Sequence, residues 1–116
     1  MEFIRLNVVG AIQIVPKFSL SETAAKLGIA LGGLNFRQDP SGTYDEFPSF
    51  SAEALGLNFA LLGIPDPADQ ILGPIKSFCL QIGMAFCTDD AVETCDTSTY
   101  FAELIRSRSD LVLGNM

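Results

Sequence analysis

Apolar positions along this chain change their period several times, and each change marks an element. Residues 3–15, FIRLNVVGAIQIV, are rich in Ile and Val with partial alternation. That pattern predicts one long strand, or two short ones broken near Gly10, with Pro16 as the stop. In FSLSETAAKLGIALGG the period lengthens: Leu20, Ala24, Leu27 and Leu31 recur at helical intervals behind Ser19 and Glu22, which have capping-box spacing. A helix over about 20–31 follows, ended by Gly32-Gly33.

The next stretch, LNFRQDPSGTYDEFPSF, reads as a hairpin. Asp39, Pro40 and Gly42 occupy the first, second and fourth corners of a type I turn between LNFRQ and TYDEF. On such a strand an exposed Tyr44 shares one face with Glu46, while Asp45 and Phe47 take the other. SFSAEALG then predicts a short helix capped by Ser49 and closed by Gly56. LNFALLGIP predicts a buried strand stopped by Pro65. PDPADQ has loop composition, and IKSFCLQIGMAF predicts a further strand after a turn at Gly73-Pro74.

Residues 88–97, TDDAVETCDT, form an acidic loop. TSTYFAELIRSRSD follows with a Thr or Ser cap, an apolar stripe of Phe101, Leu104 and Ile105, and arginines in its last turn. This predicts a second long helix, after which LVLGNM reads as a short strand or a frayed end. Together the elements give an α+β class. The expected architecture is one domain over residues 1–116, a mostly antiparallel sheet of four to six strands with two or three helices.

Composition narrows the function. With 48% hydrophobic and 18% charged residues the chain is expected to fold rather than stay disordered. Fourteen acids against seven bases give a net charge of −7, which argues against direct nucleic-acid binding because affinity for phosphate needs clustered Lys and Arg. Apolar runs such as Leu57–Pro65 fall short of a membrane span, and the start, MEFIRLNVVG, lacks the basic and apolar regions of an export signal. A cytoplasmic location is therefore expected.

Candidate chemistry is sparse. The chain has no histidine, which removes Ser-His-Asp and Cys-His sites and His-ligated metals together. Cys79, Cys87 and Cys95 are odd in number and spaced by eight, unlike the close pairs of zinc sites, so free, buried thiols and no bound metal are expected. The acidic stretches lack the calcium-loop pattern, and no glycine-rich phosphate loop precedes a lysine. Adjacent carboxylates on an extended chain diverge, which counts against glycosidase-type catalysis. No cofactor and no catalytic set are expected.

Acidic residues nevertheless recur at turns and loop margins: Asp45, Glu46, Asp66, Asp69, Asp89, Asp90, Glu93 and Asp96. If these loops gather at one end of the domain, they form an acidic rim around Tyr44 suited to steering a basic protein. In size, acidity, α+β layout and lack of a catalytic set the chain resembles the small bacterial immunity proteins of contact-dependent growth inhibition and other polymorphic toxin systems. YDEFPSFSAEALGLNFALLGIPDP carries most of the likeness. The resemblance implies a non-enzymatic, stoichiometric inhibitor, monomeric in its complex, that covers the substrate groove of a basic toxin nuclease. A small acidic secretion chaperone that binds an effector segment is the alternative, and a carboxylate- or thiol-dependent enzyme a third class.

Overall fold

Strand pairing over long sequence distances, more than local propensity, decides this architecture. The computed structural model describes residues 6–70, 73–86 and 93–114. Strand β1 (Leu6–Ile14) runs unbroken through Gly10 and is followed by helix α1 (Leu20–Ala30). Then come β2 (Arg37–Gln38), β3 (Ser49–Ala54), β4 (Leu57–Leu62), a 3-10 turn at Pro67–Asp69, β5 (Phe78–Met84), β6 (Glu93–Asp96) and helix α2 (Ser98–Arg108). The six strands form one sheet in the order β2-β3-β4-β5-β1-β6. All neighbours are antiparallel except β1 and β6, so the α+β expectation of a mostly antiparallel sheet holds.

Period-two alternation gives the sheet two unlike faces. Ile12, Leu80 and Leu61 stand side by side in register, with Ile14, Phe78, Ile82 and Phe59 on the same face. These pack with Ala24 and Leu27 of α1 and with Ala102 and Ile105 of α2 into the core. The opposite face carries Gln13, Gln81, Asn58, Ser51 and Glu53.

Helix α1 matches its sequence signals closely. Ser19 caps it by accepting from the Glu22 backbone N–H at 3.1 Å. At the other end Gly33 N–H donates to Gly28 O and Gly32 N–H to Ile29 O, a Schellman closure with Gly32 at φ 89°.

Two expectations fail. SFSAEALG is strand, not helix: β3 pairs along its length with β4 through the two-residue turn Leu55-Gly56, at φ 55° and 76°. Ser and Gly mark helix ends and hairpins alike, and here six cross-strand pairs decide. Likewise TYDEF is not a strand. β2 pairs with β3 instead, leaving residues 39–48 as a loop of two successive turns: Thr43 N–H bonds Pro40 O at 3.2 Å and Phe47 N–H bonds Tyr44 O at 3.1 Å. Asp45 sits at φ 56° in the second turn, so the alternating-face arrangement of Tyr44 to Phe47 does not exist.

The outer edge of β1 is closed in three pieces. β6 pairs with Leu6–Val9, the Ser98 hydroxyl accepts from Ala11 N–H at 2.9 Å, and residues 112–114 run antiparallel beside residues 13–15. Helix α2 is thus an excursion across the core face between two segments that share one lane of the sheet. Of the LVLGNM stretch, the described residues 111–114 join the sheet through the Ile14–Leu113 bridge.

Candidate functional site

The antiparallel order of β2, β3 and β4 puts loop 39–48 and the segment after Leu62 at the same end of the sheet. Gly63 N–H bonds Pro48 O at 2.7 Å and Asp39 N–H bonds Ser49 O at 2.9 Å, so the two loops are tied at their roots. Between them lies a cleft of about 550 Å³. Asp39, Asp45, Glu46, Asp66 and Asp69 line it, with Pro40, Phe47, Pro48 and Ile64 as apolar surface and no Lys or Arg among its lining residues.

Each carboxylate arrives for a local reason. Asp39 leaves β2 and is held by β3, whose Ser49 and Ser51 hydroxyls donate to its Oδ2 at 2.8 and 2.5 Å. Asp45 is presented by the left-handed turn residue it occupies, a conformation that Asp tolerates better than bulky residues. Asp66 precedes the 3-10 turn and Asp69 is its last residue, and Asp69 N–H bonds Asp66 O at 2.8 Å. Asp45, Glu46, Asp66 and Asp69 are solvent-exposed. Among the described residues no three Asp, Glu, Cys or His side chains converge closely enough to hold a metal ion. Carboxylates spread round a concavity suit several cationic groups better than one ion.

The acidic rim expected from the sequence is therefore partly assembled. Asp45, Glu46, Asp66 and Asp69 come together, and Asp39, which reads in the sequence only as a turn corner, joins them. Tyr44 is half-buried and lies outside the cleft lining, so it is no exposed anchor. Glu93 and Asp96 belong to β6, not to a loop, and sit beyond β1 at the far side of the sheet. Asp89 and Asp90 lie outside the described residues.

Asp96 has work within the fold. Its Oδ1 accepts from the Ser98 hydroxyl at 2.6 Å and from Ser98 N–H at 2.9 Å, fastening the end of β6 to the start of α2. The Ser98 hydroxyl, then the Ser98 N–H, hold its carboxyl below the ordinary range. Thr97 adds a bond from its hydroxyl to Val9 O at 2.9 Å.

Cys79 and Cys95 are free thiols. Burial raises the Cys79 pKa, whereas Cys95 on the edge strand is exposed, contrary to the expectation of buried cysteines; Cys87 lies outside the described residues. Among the described residues no helix is long and apolar enough to cross a membrane.

Fold and cleft thus define an α+β domain with an acidic concavity at one sheet end. Comparison with protein-family models, with curated proteins and with solved structures finds no match for this chain.

Proposed function

We propose that this protein is an immunity protein, a stoichiometric inhibitor that binds and neutralises a basic bacterial toxin, with the acidic cleft as its contact surface. The observation that carries this reading is the meeting of five carboxylates around one cleft whose lining includes no cation. A nuclease must hold phosphates with Lys and Arg, and carboxylates fixed on loops can occupy those same groups while blocking substrate. The net charge of −7 adds long-range attraction, which raises the association rate and is screened by salt. Function then requires no acid, base or nucleophile from this chain, in keeping with a sequence that lacks histidine.

The test is to identify the partner by co-purification, then to isolate the complex, check its one-to-one stoichiometry and assay growth with the partner expressed. Protection by the parent chain, weakened in Asp45→Asn/Glu46→Gln/Asp66→Asn/Asp69→Asn, is the expected result. Protection and salt dependence unchanged in that variant would refute the cleft as the contact surface.

A further inference from the structure

The acidic cleft has an apolar neighbour. A second cavity of about 650 Å³ shares Glu46, Phe47 and Asp69 with it and continues along Gly73, Pro74 and Ile75. Phe47 and Ile75 are both half-buried, leaving part of each side chain free for contact. Gln70 braces this wall: its Nε2 donates to Pro65 O at 2.9 Å and its Oε1 accepts from Ile75 N–H at 2.8 Å. The shared residues set the two cavities side by side as halves of one surface, more polar around the first and more apolar around the second.

Charge decides what can lie in it. Glu46 and Asp69 stand where the halves meet, and no Lys or Arg lines either half. A second copy would bring its own charge of −7 against these carboxylates, and a phosphate-bearing surface would be repelled in the same way. A segment carrying a basic side chain is attracted, and Arg fits best. Its apolar stem can lie along Phe47 while its planar head meets two carboxylates.

We infer that the groove binds an extended segment of a partner protein in which an arginine and a bulky apolar residue stand two positions apart, and so on one face. The arginine enters among Asp66, Asp69 and Glu46, and the apolar side chain fills the space bounded by Phe47, Pro74 and Ile75. This inference rests on the acidic-cleft reading and adds to it a requirement for an apolar contact.

The test uses the full chain and synthetic peptides with Gly-Ser flanks. Their cores are Arg-Ser-Leu, Arg-Ser-Ser, Glu-Ser-Leu and Glu-Ser-Ser, each made in both orders. Binding is followed by fluorescence polarisation, and amide shifts identify the residues touched. In one order the Arg and Leu peptide should bind at least about tenfold more tightly than the peptide lacking either feature, a difference of about 1.4 kcal/mol. Shifts should centre on Phe47, Asp69 and Ile75. Ile75→Ser should remove the preference for Leu, and the exposed pair Asp66→Asn/Asp69→Asn should remove the preference for Arg, each with its melting transition retained.

Equal binding of the Leu and Ser peptides would overturn the apolar requirement while leaving the acidic cleft in place. Equal binding of the Arg and Glu peptides would overturn both. Absence of binding by every peptide at millimolar concentration would overturn recognition of an extended segment.

Discussion

Two groups of carboxylates on this sheet live in opposite circumstances. Beside the outer edge of β1, Asp96 is bonded twice to Ser98, and Asp110 accepts a charge-assisted bond from Lys26 at 3.0 Å that ties α1 to the C-terminal segment. Around the cleft, Asp45, Glu46, Asp66 and Asp69 line one open cavity with no lining cation. In the sequence Asp96, at the end of an acidic stretch, looks much like the cleft acids. The first spends its charge on the fold, and the second leaves it available to a partner. A carboxylate's role therefore follows from what the topology places beside it, not from its local motif.

Perturbing the sheet that both regions share should have the largest effect. Leu80 is fully buried at the centre of β5, and Leu80→Ala should lower stability by about 2–5 kcal/mol, read by denaturant or thermal unfolding. Damage to both groups at once is the expected signature. Thr97→Val, by contrast, removes only the hydroxyl bond to Val9 O at the outer edge and should cost about 1 kcal/mol, with exchange of the β1 amides quickening.

At the sheet end opposite the cleft, Leu55 is fully exposed and held at φ 55°, a region where a leucine is strained. Leu55→Asn should raise stability by about 1 kcal/mol without changing partner affinity, a separation that a melt and a binding titration can check. Neutralising the cleft in the quadruple Asn/Gln variant should change stability by no more than about 0.5 kcal/mol while slowing association with a basic partner. A large loss of stability there would erase the contrast, because the cleft acids would then be structural too.

The smallest effect is in the pH response. The hydrogen bond from Lys26 depresses the Asp110 carboxyl, as the Ser98 bonds depress that of Asp96. A depressed folded-state value contributes stability above the unfolded value of about 3.9, and that contribution disappears as pH falls through the lower folded values. Both carboxylates are open to solvent, so the slope should be shallow. Asp110→Asn should flatten it in melting temperatures taken between pH 7 and the acid limb.

Elements whose signals are local were legible in the sequence. The Ser19 cap and the Gly32-Gly33 stop bracket α1 correctly, the Phe101 and Ile105 stripe locates α2, and apolar runs place β4 and β5. Ser49 to Gly56 was not legible as strand because its decisive partners, Leu57–Leu62 on one side and Arg37–Gln38 on the other, act across the sheet. The cleft was half legible. Strand parity alone puts loop 39–48 and the segment after Leu62 at one end of the sheet and the C-terminal end of β5 at the other, since successive antiparallel strands end at opposite ends. Asp39 carried a signal as well: two serines spaced by two on the facing strand, both able to bond one carboxylate.

The three-piece closure of β1's edge also sets an order of events during folding. β1 finds its partners at Phe78–Met84, at Glu93–Asp96 and at residues 112–114, so the earliest described strand waits for the latest part of the chain. The β3–β4 hairpin, closed by two residues, can form within microseconds, whereas β1 must close loops of many tens of residues first. Until then its Ile12 and Ile14 have no sheet to join, and pulse-labelled exchange should show their amides gaining protection after those of β3 and β4.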